Sequence, residues 1–278
     1  MNFYGFFIVL GILVGVLVVE KINKKWSMVN GQWSMVDVLP YILIPGIIGA
    51  RLYHVIDYWQ YYGENLVDIL MVWKGGLGIF GAVIGGMIGI WIFLKLKTKN
   101  KKPKTQTKDT KIGDIFLSYL DLGVVGLSIG QAIGRWGNYF NQELYGLPTS
   151  LPWGIYIRLE NRLPGFENFT HFHPLFLYES IGCFAIFLIL IKKTPILKIK
   201  YQISKTHIKN KKTPKRGSIF FQYLFLYSLM RFWLEFLRID SWKWGFLGAA
   251  QWISLGLMLI SGLAICKKNV KISGKLSR

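Results

Sequence analysis

Seven stretches of this sequence are long and apolar enough to cross roughly 30 Å of hydrocarbon, and the lysines sit in blocks between alternate pairs of them. The stretches lie near Phe3–Val19, Val38–Val55, Leu77–Leu94, Ile115–Ala132, Leu175–Ile191, Ile219–Phe236 and Phe246–Ile265. Hydrocarbon offers backbone amides no water, so a spanning segment must satisfy its own hydrogen bonds, and unbroken apolar runs do so as helices. The expected fold is an all-α membrane protein of about seven transmembrane helices, forming a single integral membrane domain over residues 1–278. The first stretch lacks a basic leader and a small-x-small cleavage site and runs into Glu20-Lys21, so it reads as an uncleaved anchor.

The basic residues orient the chain. Alternate connections, Lys21–Lys25, Lys95–Lys111, Lys192–Arg216 and Lys267–Arg278, hold most of the charge behind a formal net of +20. The positive-inside rule places these four in the cytoplasm and the N-terminus outside, with the C-terminus cytoplasmic. The long lysine-rich loops, about 95–111 and 192–216, are topology determinants with some affinity for anionic headgroups. No nucleic acid is expected as a partner; the bilayer is. Cys183 and Cys266 lie in apolar runs and act as soft apolar side chains. No residues are spaced to hold zinc, and neither a metal nor a cofactor is expected.

Arginine is used differently from lysine. The chain has 26 lysines but only eight arginines, and of those eight only Arg216 and Arg278 fall in the lysine-rich stretches. A chain so biased to lysine keeps arginine where a planar, permanently charged, bidentate donor is needed, as for phosphate or carboxylate. The stretch about 134–172, aromatic and punctuated by Pro148, Pro152 and Pro164, is expected to fold as a small external cap. The 66–73 stretch is too short to span and fits the membrane interface, and the aromatic residues of 57–62 fit an interfacial belt.

Four polar blocks sit near the outer ends of the spans, where each ionisable group in the membrane costs a few kcal/mol (about 2.5–3.5) on insertion scales. The densest runs from Gly134 to Gly146 and carries Arg135, Asn138, Asn141 and Glu143. It suits an anionic headgroup bearing hydroxyls, or else a helix cap with a snorkelling arginine. Arg231, Glu235 and Arg238 are spaced to share one helical face, either neutralising a structural charge or holding one guanidinium ready for phosphate. His173-Pro174 leads into Tyr178-Glu179, and a membrane-buried Glu179 calls for an arginine or amide partner. Arg51 and His54 lie in Gly49-Ala50-Arg51-Leu52-Tyr53-His54. The glycines of Gly75–Gly86 read mainly as small-xxx-small helix packing, the alternative being a floor for lipid backbone.

These blocks, in this order, resemble the prolipoprotein diacylglyceryl transferases of the bacterial plasma membrane. Gly134–Gly146 is similar to that family's Gly-Arg-x-Gly-Asn-Phe-x-Asn-x-Glu-x-x-Gly, with Tyr139 in place of Phe. Tyr4-Gly5, Gly49-Ala50-Arg51, the glycine run, His173-Pro174, Tyr178-Glu179 and Arg231…Glu235…Arg238 support it, so the resemblance covers the chain apart from the lysine-rich loops and tail. It implies transfer of a diacylglyceryl group from phosphatidylglycerol to the lipobox cysteine of a prolipoprotein signal peptide, with glycerol 1-phosphate leaving, at a site facing the outer leaflet. It implies catalytic roles for Arg135, Arg238 and Glu143, the two arginines on phosphate and headgroup. It implies binding or supporting roles for Tyr4, Arg51, Asn138, Asn141, Gly146, Glu179, Arg231 and Glu235. Many members carry a histidine in the glycine run where this chain has Phe80. Either no side-chain base acts there, the arginine field favouring thiolate, or His54 or His173 substitutes. The competing reading is a transporter or flippase for an anionic lipid; a structural scaffold leaves the costly polar groups unexplained.

Overall fold

The computed structural model describes residues 3–26, 34–100, 112–194, 216–239 and 241–273. Most of the two long lysine-rich loops and the end of the basic tail therefore lie outside the described residues. Among the described residues the structure is all-α apart from two two-stranded ribbons, and the chain separates into two compact units, Asn23–Tyr119 and a second made of Met1–Ile22 with Leu120–Arg278. Among the described residues, six helices are long and apolar enough to cross a membrane.

In the first unit, α2 (Met35–Asp57) and α4 (Ile79–Asn100) pack antiparallel along a row of small residues. The Gly49, Pro45 and Tyr41 carbonyls face Gly81, Gly85 and Gly89, one turn apart on each helix, with no room for a Cβ at any of these three glycines. Pro45 has no N–H, so the Tyr41 carbonyl lacks its usual partner one turn on, and the bare Gly89 backbone can close over it. This agrees with the packing reading of the glycine run. Ser34 starts α2 with a capping box: its hydroxyl accepts from Val36 N–H at 3.1 Å, and Asp37 accepts from Ser34 N–H at 3.0 Å. Between α2 and α4 the chain forms a short helix, α3 (Trp59–Glu64), and two 3-10 turns, Leu66–Leu70 and Val72–Lys74. Their Trp59, Leu66, Val67, Leu70 and Trp73 are exposed.

In the second unit, α1 (Phe3–Trp26) crosses α5 (Ile112–Asn141) where Gly11 meets Gly130 and Gly15 meets Gly126, each would-be Cβ of α1 lying 2.7 Å from the opposing carbonyl oxygen. Helices α6 (Leu175–Lys193), α7 (Ser218–Leu234) and α8 (Ala249–Ser273) follow. Asp121, buried in α5, accepts hydrogen bonds from the N–H groups of Gly217 at 2.6 Å and Phe220 at 2.8 Å, capping α7 from a neighbouring helix. Over the sixth expected span, Ile219–Phe236, the structure has the 17 residues of α7 and a 3-10 turn, Glu235–Leu237, and this helix is not among those six.

At 30 residues α5 runs well past the expected fourth span, so Gly134–Asn141 belongs to a helix and the irregular region begins after it. That region has its own small core of Tyr145, Ile157 and Phe172, packed with Ile155, Leu163, Phe166 and Ile239. Strands β1 (Ile155–Tyr156) and β2 (His171–Phe172) pair antiparallel within it, and Tyr145 ties it together by donating to Asn161 O at 2.9 Å and accepting from Leu163 N–H at 2.6 Å. In its Gly165 turn, the Glu167 carboxylate accepts from its own N–H and from Gly165 N–H at 3.0 Å, which together hold its pKa below the usual carboxylate range. Strands β3 (Lys243–Trp244) and β4 (Leu247–Gly248) form a second ribbon before α8, with Trp242, Trp244 and Phe246 exposed.

Candidate active site

The buried carboxylate of Glu179 organises the polar end of α5, α6 and α7. It sits in the first turns of α6, 7% exposed, and binds two guanidiniums: Nε of Arg135 to Oε2, and Nη1 of Arg231 to Oε1 at 3.2 Å. The partner that burial of Glu179 demanded is thus a pair of arginines from two other helices. Arg231 Nη2 lies 2.8 Å from Glu235 Oε2, one turn further along the chain. Within this group two positive and two negative charges balance, which offsets the desolvation cost of burying them. Arg135 is the more exposed of the two arginines, at 25% against 19%.

Beside it, Arg135 Nη1 donates to Asn138 Oδ1 at 3.5 Å, one turn on in α5, and Asn138 Nδ2 donates to Glu143 Oε1 at 2.7 Å. The Asn138 amide stands between the guanidinium and the carboxylate, turning an oxygen to one and a nitrogen to the other. Glu143 lies just beyond α5, exposed, between two residues in the left-handed region, Gln142 at φ 51° and Leu144 at φ 54°. Left-handed backbone costs a non-glycine residue about 1 kcal/mol or more, so the surroundings must impose it. Gln142 is held by its side chain, whose Oε1 accepts from Arg158 N–H at 3.0 Å and Asn161 Nδ2 at 3.1 Å. Asn141, the last residue of α5, is exposed. Tyr4 of α1 lies over Gly137, where a Cβ would come within 2.9 Å of the tyrosine ring.

Arg238 is placed by backbone. The helical face expected to carry Arg231, Glu235 and Arg238 ends at Leu234, and after the 3-10 turn Arg238 is extended, pairing with Gly146 in an antiparallel bridge. Gly146 N–H donates to His173 O at 2.9 Å and Leu147 N–H to Leu237 O at 2.8 Å. A Cβ on Gly146 would lie 2.7 Å from Leu237 O, 2.9 Å from His173 Cβ and 3.0 Å from Leu175 Cγ, so the motif glycine is a close-approach point joining three segments. His173 Nδ1 lies 3.2 Å from the Tyr178 hydroxyl, which also accepts from Trp153 Nε1 at 2.8 Å.

Arg51 and His54 belong to the other unit. Arg51, 5% exposed, donates Nε to Ile69 O at 2.9 Å, Nη1 to Gly75 O at 2.6 Å and Gly76 O at 3.0 Å, and Nη2 to Met71 O at 3.3 Å and to Asp68 O. Gly75 and Gly76 take φ of 89° and 71°, which turns their carbonyls onto the guanidinium. The His54 ring packs on Tyr58 at 4.5 Å and close to Gly76.

Sequence reasoning passed over Tyr227 and Gln131. The Tyr227 hydroxyl accepts from the Arg135 guanidinium, and Gln131 Oε1, one turn before Arg135, accepts from the Tyr223 hydroxyl at 2.8 Å. Tyr227 lies four residues before Arg231, the spacing that puts both on one face of α7.

A family model described as prolipoprotein diacylglyceryl transferase matches residues 1–267. The chain belongs to the prolipoprotein diacylglyceryl transferase family. It is 38% identical over 265 residues, covering 95% of this chain and 84% of the relative, to the phosphatidylglycerol--prolipoprotein diacylglyceryl transferase of Trichormus variabilis. Its identity to the transferase of the same name from Gloeobacter violaceus is 34%, over 95% of this chain and 87% of the relative. The Fervidobacterium nodosum transferase is 40% identical over 218 residues, 78% of this chain and 65% of the relative. Prolipoprotein diacylglyceryl transferases are thus matched across every helix that carries the site.

Proposed function

We propose that the protein transfers the diacylglyceryl group of phosphatidylglycerol to the lipobox cysteine thiol of prolipoproteins and releases glycerol 1-phosphate, the first step of lipoprotein maturation. One observation carries it beside the family membership: Glu179 holds the Arg135 and Arg231 guanidiniums together, with Arg135 Nη1 donating to Asn138 and Asn138 in turn to Glu143. A fork-shaped donor set of this kind suits a phosphodiester. Sulfur attacks the glyceryl carbon, the bond from that carbon to the phosphate-ester oxygen breaks, and charge builds on the departing phosphate. Guanidiniums already fixed by buried partners stabilise that charge without reorganising. Arg238, carried by the bridge to Gly146, supplies a further headgroup contact.

Topology follows from the lysine blocks: seven spans, counting α7 with its 3-10 turn, an N-terminus outside, a cytoplasmic C-terminus, and a cap and active site facing the outer leaflet of the bacterial plasma membrane. The test is mass spectrometry of a lipobox peptide incubated with the full chain in phosphatidylglycerol vesicles. A diacylglyceryl mass on the cysteine, absent with Arg135→Ala, is the expected result. An unmodified peptide alongside accelerated lipid movement would mean transport instead.

A further inference from the structure

Transfer releases a proton from the acceptor thiol, and something must take it. The residue at the glycine-run position, Phe80, cannot. Glu179 is clamped between two guanidiniums and Glu235 is paired with Arg231. His173 Nδ1 is engaged with Tyr178, and the His54 ring, in the other compact unit, is packed against Tyr58 and Gly76. Glu143 differs from all of these. It is exposed, Asn138 donates to one of its oxygens, and the interposed amide keeps it from closing onto Arg135 as an ion pair. The chain also bends into left-handed conformations on both sides to present it. Strained backbone of this kind persists where a side chain has to be aimed. Glu143 and Arg135 both act electrostatically on the Tyr4 hydroxyl of α1, and the Asn138 amide stands between the two charges.

We infer that Glu143 is the proton carrier of the reaction, taking the proton of the lipobox thiol and handing it to the departing phosphate. The inference rests on the transferase reading above. The S–H bond breaks with its proton going to Glu143, the sulfur electron pair forms the bond to the glyceryl carbon, and the carbon–oxygen bond to phosphate breaks with its pair leaving on oxygen. The diester monoanion departs as a monoester with one more negative charge. The added negative charge on the departing phosphate oxygens makes them the acceptor to which the carboxyl hands the proton. The cycle closes with no other acid or base.

The experiment compares wild type, Glu143→Gln and Glu143→Asp, each full-length in phosphatidylglycerol vesicles with a lipobox peptide, from pH 7 to 8.5. Gln keeps an oxygen for the Asn138 hydrogen bond but accepts no proton. Glu143→Gln is expected to lower kcat about 100-fold or more with KM for the lipid changed less than about threefold. Its residual rate should climb roughly tenfold per pH unit as the thiol, with a pKa near ~8.5, ionises unaided, while wild type stays nearly flat. Glu143→Asp should fall between them and keep the wild-type pH profile. A Gln variant within about threefold of wild-type kcat, one whose pH profile parallels wild type, or one that no longer binds phosphatidylglycerol would each overturn the assignment. A wild type that adds no mass to the peptide would instead sink the transferase reading itself.

Discussion

Arg231 Nη1 meets Glu179 Oε1 at 3.2 Å across 52 positions of sequence, and the same carboxylate takes Nε of Arg135 through its other oxygen. Two arginines that would repel each other are therefore held by one buried acid. Remove the acid and both lose their shared counter-charge.

Glu179→Gln is accordingly expected to cost about 3–5 kcal/mol of stability, the range for breaking a buried ion pair. It should also abolish transfer, since neither guanidinium keeps its place. Thermal unfolding in detergent and the peptide-modification assay measure the two effects. An unchanged unfolding temperature would mean that the carboxylate holds nothing.

Arg135→Ala and Arg238→Ala are each expected to eliminate detectable transfer while the protein still inserts and accumulates in membranes. Arg135→Lys should also lose at least about 100-fold, because an ammonium cannot reproduce the fork that meets Glu179, Asn138 and Tyr227 together. Near-normal turnover in any of the three would remove the headgroup role from that arginine.

Gly146→Ala should destabilise the protein by about 1–3 kcal/mol, as overpacking does where backbone cannot give way. The new methyl would meet Leu237 O at 2.7 Å, in the segment that carries Arg238, so lipid KM should rise as well. A variant as stable and active as the parent would show that this crossing has slack.

Arg51→Gln should loosen the 66–76 segment. Charge-assisted hydrogen bonds contribute about 1.5–3 kcal/mol each, and several carbonyls there depend on this one side chain. Limited proteolysis followed by mass mapping is expected to show new cleavage between Leu66 and Gly76. Protection equal to wild type would show that the segment holds its shape without Arg51.

What the sequence made legible was what periodicity and cost dictate. Apolar length marks the long helices, the spacing of Gly81 and Gly85 marks the seam on α2, and the expense of burying Glu179 calls for an arginine or amide partner, which two arginines supply. What stayed hidden depends on where a helix stops. Nothing in Gly134–Asn141, with two glycines, says that α5 continues through it, and nothing in Arg231–Arg238 says that the helix ends at Leu234 and leaves Arg238 on a bridge to Gly146. Arg51 has an arginine's usual look of a ligand-binding residue, yet its donors go to the carbonyls of its own unit. Backbone acceptors carry no signature in residue type, so pairing of that kind cannot be read from the letters.

The Asp121 cap on α7 has a practical consequence. Because the first turn of that helix is gripped from α5, the axial position of Arg231 is tied to the helix that also carries Arg135. An Asp121→Asn change, made at the far end of α7, would therefore be felt at Arg231 through the body of the helix.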